Sequence, residues 1–156
     1  FIDLARETLG NAPPKDYYAK VLKLPTTLCL LAKHEEKIIG AFVGGYVEIK
    51  KLPKKIHVFH INYVGRKADY PAINFFQLLS KEEQKIRQKF PKLDYISLCV
   101  NQPRLLEVYQ DLGFNNQGAI DNEKGKFFLT KKLSVEAPTN HEVHQALENS
   151  RRNCKT

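Results

Sequence analysis

The stretch DYISLCVNQPRLLEVYQDLGF, residues 94–114, is the most informative part of this chain. Residues 95–100 are apolar and rich in β-formers, which predicts a buried strand. Pro103 follows and suits the first turn of a helix. Gly113 then predicts a helix C-terminus. Between these two residues the apolar side chains recur at helical spacing: Leu105, Leu106, Tyr109 and Leu112. The stretch therefore predicts a strand, a turn and a short helix, with Phe114 starting the next segment.

The series Val100-Asn101, Leu105, Tyr109 and Leu112-Gly113-Phe114 resembles the "V-N…A…LY…LGF" signature of the GNAT superfamily of acyl-CoA N-acyltransferases. The interval between the Asn and the Tyr is one residue longer than the commonest spacing. The resemblance implies that the strand and helix flank the pantetheine arm of coenzyme A and that Tyr109 is a general acid. From the residues alone, a buried strand-to-helix unit with a C-cap glycine explains the pattern equally well.

The composition is that of a soluble globular domain. The chain has 156 residues, 42% hydrophobic and 27% charged, enough for one domain with a real core. No apolar run approaches the ~20 residues of a membrane span, and no secretory signal is visible at Phe1. The three cysteines, Cys29, Cys99 and Cys154, are widely spaced, and no zinc site is visible. Because Cys29 and Cys99 lie in apolar strand-like runs, we expect these two to be buried thiols in a reducing compartment. We expect a cytoplasmic protein without a metal or a membrane partner.

The net charge of +8 has several explanations. A solvated lysine-rich surface explains it, and so does a partner that carries phosphate, such as coenzyme A or nucleic acid. Because the sequence has no recognised nucleic-acid motif, we rank nucleic-acid binding last.

The remaining elements are read from periodicity and from Pro and Gly breaks. Helices are predicted at 2–9, 17–24 and 71–90, and strands at 26–32, 38–49, 56–64, 94–100 and 126–133. Residues 115–118 and 121–125 are turn-rich and bracket one more short strand. This order predicts a mixed α/β domain, and it also matches GNAT topology over about residues 16–133. The implied fold is a single-domain GNAT-like fold over 1–133, with a mostly antiparallel central sheet flanked by helices. Residues 134–156 are predicted to be a C-terminal tail with helical character, frayed or docked on a neighbour.

Two strands carry unusual residues. Gly44-Gly45 interrupts the strand 38–49, which indicates a β-bulge or the close approach of a ligand. In the strand 56–64, His60 and Asn62 alternate with apolar residues on one face, and buried polar groups need a partner or a function.

The loop after this strand is where the resemblance is weakest. GNAT proteins have R/Q-x-x-G-x-G/A here, and its amides hold the cofactor pyrophosphate. In this chain Arg66 stands for the leading basic residue, but Asp69 and Pro71 replace the glycines. Either Arg66, Lys67 and the amides at 72–74 still bind the phosphates, or the site has degenerated.

The resemblance also implies the chemistry. Where the family often has a Glu base, this chain has His60, a competent base near neutral pH. A hydrogen-bonded core histidine is the alternative. Glu48 is a second candidate base but more typical of a surface carboxylate, and Tyr109 would protonate the leaving thiolate. The predicted cofactor contacts are Asn62, Tyr63, Val64, Arg66, Lys67, Ala72, Ile73, Asn74, Asn101 and Tyr109.

The first interpretation is an N-acyltransferase that moves an acetyl group from acetyl-CoA directly to a primary amine. The acceptor, a small amine or a peptide amine, and homodimer formation stay open. The second interpretation is a catalytically inactive GNAT-fold binding or regulatory module, which the missing glycines favour.

Overall fold

The computed structural model describes residues 15–50, 54–69, 75–120 and 125–153. Within these ranges it has four helices: α1 (Lys15–Val21), α2 (Phe75–Lys89), α3 (Arg104–Asp111) and α4 (Asn140–Asn153). Its strands are β1 (Thr27–His34), β2 (Lys37–Ile49), β3 (Ile56–Arg66), β4 (Tyr95–Val100), β5 (Asn115–Ala119) and β6 (Phe127–Lys132). The predicted helix at 2–9 lies outside the described residues.

The six strands form one sheet with the order β1-β2-β3-β4-β6-β5. The pairs β1–β2, β4–β6 and β5–β6 are antiparallel. The prediction of a mixed α/β domain built on one sheet is confirmed. The chain also separates into two compact units, the first comprising residues 1–46 and 61–91 and the second 47–60 and 92–156.

The first unit is built on the β1–β2 hairpin, part of β3 and helix α2. The hairpin turn places Glu35 and Glu36 at φ +47° and +64°, the left-handed pair that a two-residue turn requires. Ala41, Val43 and Tyr63 form its buried cluster. The two glycines at 44–45 stay inside β2, where the register with β1 is continuous, so the predicted bulge does not occur there.

Strand β3 is longer than the sequence predicts. It continues to Arg66, whereas we expected a loop from Gly65 onward. A Cβ atom at position 65 would overlap the Tyr63 hydroxyl, so the close approach of the Tyr63 ring requires glycine here. Gly65 therefore serves packing within the strand.

The second unit buries the C-terminal segment. Val143 and Ala146 of α4 pack with Tyr95 of β4 and with the β2 and β3 residues Ile49, Ile56 and Val58. Helix α4 is thus part of this unit's own core, contrary to the expectation of a frayed or externally docked tail. The domain boundary at residue 133 itself stays a prediction.

The region 115–118 is a strand, and the prediction of a turn there was wrong. Asn115 and Asn116 pair with Thr130 and Leu129 of β6, and the register shifts between Asn116 and Ala119. Gly118, at φ +99°, lies in this irregularity. The turn-forming residues therefore accommodate a bulge inside a strand.

Candidate functional site

Strand β3 carries five of the predicted site residues, and their burial varies along the strand. Ile61 and Tyr63 are buried, whereas His60 and Val64 are half-buried and Asn62 is exposed. The less buried side chains at 60, 62 and 64 share one face of the strand because successive side chains point to opposite faces. The Tyr63 side chain packs in the core of the first unit.

His60 lies in the second unit beside Ser97 of β4. The Nδ1 atom of His60 is 2.8 Å from Oγ of Ser97, and Ser97 is fully buried. When Nδ1–H donates to the serine oxygen, Nε2 keeps its lone pair, which is the form that a general base needs. Sequence reasoning missed Ser97. The available signal was a lone hydroxyl inside the apolar run 95–100, which must find a polar partner when buried.

Asn101 and Tyr109 follow β4 in the second unit. Asn101 is exposed directly after the strand, and Tyr109 is the buried residue of α3, with 5% of its surface exposed. The ring of Tyr109 packs edge-on against Phe114, with the ring centroids 5.6 Å apart. Gly113 adopts φ +92° and Phe114 N–H donates to the Tyr109 carbonyl, so the predicted glycine C-cap is confirmed. The cap holds Tyr109 and Phe114 together.

The basic residues after β3 lie in the first unit. Arg66 is exposed at the end of the strand, and Asp69 is exposed three residues later. The Lys67 amide donates to the Ile39 carbonyl at 2.8 Å, so a phosphate group would meet the Lys67 ammonium and not its N–H. Ala72, Ile73 and Asn74, predicted as amide donors, lie outside the described residues.

Glu48, the second candidate base, has an ion-pair partner. Its Oε1 lies 3.2 Å from Nζ of Lys55, and its side chain is about one quarter exposed. Because the Glu48 carboxylate is already paired with Lys55, His60 is favoured as the candidate base.

The part of the chain that the structure describes contains neither a cluster of metal ligands nor a helix suited to a membrane. No three His, Cys, Asp or Glu side chains in these ranges lie together as metal ligands. No described helix combines the length and apolar character needed to cross a membrane. Cys29 is a free thiol, and burial raises the pKa of this thiol above its usual value.

Solved structures with this fold are GNAT acetyltransferases. A GNAT family acetyltransferase from Elizabethkingia anophelis with acetyl-CoA bound superposes with a TM-score of 0.61 at 20% identity, covering 84% of this chain and 89% of the other. Arabidopsis thaliana NAA60 in complex with acetyl-CoA gives 0.69 at 12% identity over 85% and 90%. The NatC complex bound to Gag peptide and CoA gives 0.67 at 15% identity over 85% and 88%.

The chain has the GNAT fold, so the fold predicted from the signature in residues 94–114 together with the element order is confirmed. No family model and no curated protein sequence matches the chain. At these identities the likeness establishes the fold, and the chemistry must be argued from the residues.

Proposed function

We propose that this protein is an N-acetyltransferase that transfers an acetyl group from acetyl-CoA directly to a primary amine. The observation that carries the proposal is the likeness, over 84–85% of the chain, to GNAT structures that contain acetyl-CoA. The strand, turn and helix with a buried Tyr109 add support from the chain's own residues.

In the proposed reaction the amine nitrogen attacks the thioester carbonyl, a C–N bond forms and the C–S bond breaks. The attacking amine must be neutral, so His60 accepts a proton from the ammonium, directly or through water. Tyr109 donates its phenolic proton to the departing thiolate, and the proton is replaced from solvent. The hydrogen bond between His60 and Ser97 supports this assignment because it orients the ring.

We propose that the side chains of Arg66 and Lys67 bind the cofactor phosphates, aided by the amides of Ala72, Ile73 and Asn74. Asn62 and Asn101, with the backbone at Tyr63 and Val64, are proposed to hydrogen-bond the pantetheine amides. The exposure of Asn62, Arg66 and Asn101 supports these roles.

The acceptor is proposed to be a small or peptide amine. One NAA60 structure contains a bisubstrate analogue and the NatC structure contains a peptide, which makes a peptide amine the first class to test. We further propose a cytoplasmic enzyme that needs no metal. Homodimer formation stays an open prediction.

A second candidate function is a GNAT-fold binding or regulatory module without catalysis. Three features favour it: Asp69 places a negative charge near the phosphate position, Pro71 lacks an amide hydrogen, and the Lys67 amide already serves Ile39. Each feature weakens a phosphate site without altering the fold.

Calorimetric titration with acetyl-CoA tests the donor. We expect a dissociation constant in the micromolar range for the wild type and about tenfold weaker binding for Arg66→Ala/Lys67→Ala, since charge-assisted phosphate contacts are lost. The matched control is Lys33→Ala/Lys37→Ala, which removes two exposed charges at the hairpin turn. Equal weakening in both variants, or no binding at millimolar acetyl-CoA, would contradict the proposed phosphate site.

Release of the coenzyme A thiol in the presence of an amine panel tests catalysis. We expect Tyr109→Phe to lower kcat about 100-fold while acetyl-CoA affinity changes little, because the phenol acts only on the leaving group. Tight acetyl-CoA binding without turnover on any small or peptide amine would identify the binding module instead.

A further inference from the structure

The first unit contains a cavity that has no part in the proposed reaction. It has a volume of about 180 Å³ and is bounded by residues 30–32 of β1, residues 40–41 of β2, and Lys81, Glu82 and Lys85 of α2. The hairpin contributes leucine, alanine and glycine, so that wall is apolar. A cavity of ~150 Å³ accepts benzene, so this one can hold a ligand of about six to eight non-hydrogen atoms.

Glu82 is the unusual group in this wall. Only 3% of its surface is exposed, and no described residue forms a hydrogen bond with its Oε2 atom. Burial raises the pKa of its carboxyl to about 8, so at neutral pH the group is mostly the uncharged acid. The next residue, Glu83, differs from Glu82 because it forms an ion pair, with 2.9 Å between its Oε1 atom and Nη2 of Arg87.

A buried polar atom without a partner destabilises the folded state, because it has lost its hydrogen bond to water and gained none. The helix positions of Leu79, Glu82 and Ile86 fall on one face, and the first and last are buried apolar residues. A leucine at position 82 would remove this destabilisation. A ligand that forms a hydrogen bond with the Glu82 carboxyl would also offset this destabilisation, so a polar residue at this position is consistent with a binding role.

The charges at the cavity select the ligand class. Lys81 and Lys85 are exposed and adjoin Glu82 on α2, and the hairpin residues that line the cavity carry no charge. With Glu82 uncharged, the net local charge is positive, so an ammonium ligand is disfavoured. An anionic head group would pair with the lysines and accept a hydrogen bond from the protonated Glu82, while its apolar body contacts the hairpin.

We propose that the cavity between the β1–β2 hairpin and α2 binds a short aliphatic carboxylate, with its chain against residues 30–32 and 40–41 and its head group at Glu82, Lys81 and Lys85. Hexanoate, with eight non-hydrogen atoms, is the probe that fits the volume. None of the lining residues has a role in the proposed acetyl transfer, so ligand binding is tested without an activity assay.

Hexanoate, 1-hexanol and hexylamine are titrated separately into ¹³C-methyl-labelled protein and followed by NMR. We expect hexanoate to shift the Leu30, Leu31 and Ala41 methyl signals with a dissociation constant on the order of 0.1–1 mM, as expected for a ligand of this size. Hexanol should bind about tenfold more weakly, and hexylamine more weakly still. Lys81→Ala/Lys85→Ala should weaken hexanoate about tenfold and leave hexanol within twofold.

Two variants of the acid separate its chemistry from its shape. Glu82→Gln keeps a hydrogen-bond donor without charge and should bind hexanoate as the wild type does at pH 7. Glu82→Leu should fold with higher stability and bind hexanoate at least tenfold more weakly. Ala32→Phe fills the cavity and should abolish binding of all three probes, with thermal unfolding as the check on its fold.

Three results would overturn the proposal: no methyl shifts at 20 mM hexanoate, hexylamine binding more tightly than hexanoate, or unchanged hexanoate affinity in both Glu82→Leu and Lys81→Ala/Lys85→Ala. The lysine variants change only exposed side chains, so they remain decisive if Ala32→Phe fails to fold.

Discussion

Two residues that the sequence pattern places in apolar runs turn out to carry the polar chemistry. Ser97 lies inside the strand run 95–100, and Glu82 lies between Leu79 and Ile86 on the buried face of α2. Periodicity correctly predicted the buried strand at 95–100, most of whose residues are core, and it predicted the helix that carries Glu82. Periodicity could not predict the surroundings of the Ser97 hydroxyl or the Glu82 carboxyl, because the atoms around a buried polar group come from elements distant in sequence.

Ser97 is expected to act as a positioning residue for His60. Ser97→Ala removes the hydroxyl 2.8 Å from Nδ1, which in the protonated ring can only accept the Nδ1–H, so the positive form of the ring loses a hydrogen bond. We expect kcat/KM for amine acetylation to fall about tenfold. The rising limb of the pH–rate profile should move to lower pH.

Ser97→Thr is the matched control, since it retains the hydroxyl, and it should restore the wild-type pH profile. Urea unfolding of each variant reports any packing defect. If Ser97→Ala lowers stability but leaves the pH profile in place, Ser97 serves the core only.

Glu82 makes stability depend on pH. The unfolded chain releases this proton near pH 4.5, whereas the folded protein keeps it until about pH 8. The free energy of unfolding should therefore fall between those pH values, by up to roughly 1.4 kcal/mol per pH unit. Lys81 and Lys85 are the charged groups that line the cavity beside Glu82 on α2, the adjacent Glu83 is paired with Arg87, and the hairpin wall of the cavity supplies no charge.

Glu82→Gln should remove this decline, so that its advantage over the wild type grows from pH 5 to pH 8 in urea unfolding. Glu83→Gln, which changes a neighbouring carboxyl already paired with Arg87, should show no such growth. Parallel stability curves for the wild type and Glu82→Gln would show that Glu82 titrates normally.

At the scale of elements, local signals decided what could be predicted. Gly113 ended α3 as expected because a left-handed C-cap is a purely local requirement. The strand at Asn115–Ala119 escaped prediction because its Asn and Gly residues have turn preferences, and pairing with β6 overrides them. The extension of β3 to Arg66 was not predicted for a related reason. Gly65 suggested a loop, whereas the structure requires glycine there because the Tyr63 ring approaches its backbone closely.

Helix α4 begins with a capping box, which the sequence T-x-x-E at residues 139–142 indicates. The Glu142 carboxylate accepts hydrogen bonds from the N–H and hydroxyl of Thr139, both at 2.8 Å, and these bonds lower the pKa of Glu142. Thr139→Ala should lower the free energy of unfolding by about 1 kcal/mol. Because Val143 is buried in the second unit's core, the loss should appear in global unfolding by urea and not only as fraying.

Thr139→Ser keeps the hydroxyl and should retain most of that stability. An unchanged midpoint for Thr139→Ala would mean that the cap contributes nothing once the core holds the helix.

At the scale of the whole molecule, the GNAT fold could be predicted from element order and one signature, because both follow from local patterns. The cofactor contacts could not be tested to the same depth. A phosphate loop is defined by backbone amides, and composition does not reveal which amides are already bonded, as the Lys67 amide is to Ile39. Likewise, the net charge of +8 does not by itself reveal whether the positive residues contact cofactor phosphates.

The net positive charge predicts that cofactor binding weakens as salt is added. Comparing this salt dependence between variants distinguishes specific phosphate contacts from attraction by the charge of the whole molecule. Coenzyme A carries three phosphate groups, and the screening length at 0.1 M salt is only about 10 Å. We expect the acetyl-CoA dissociation constant to rise about threefold or more between 50 and 300 mM KCl. If Arg66 and Lys67 contact the phosphates, Arg66→Ala/Lys67→Ala should flatten this dependence, whereas Lys33→Ala/Lys37→Ala should leave it unchanged.

If instead the two double variants have the same slope, the dependence comes from the summed charge of the molecule and the loop makes no specific phosphate contact. A duplex DNA titration over the same salt series completes the comparison. DNA binding tighter than acetyl-CoA binding at 150 mM salt would favour nucleic acid as the partner for the positive surface. Weak DNA binding, together with a slope that depends on Arg66 and Lys67, would leave the cofactor as the reason that these two charges stand at the end of β3.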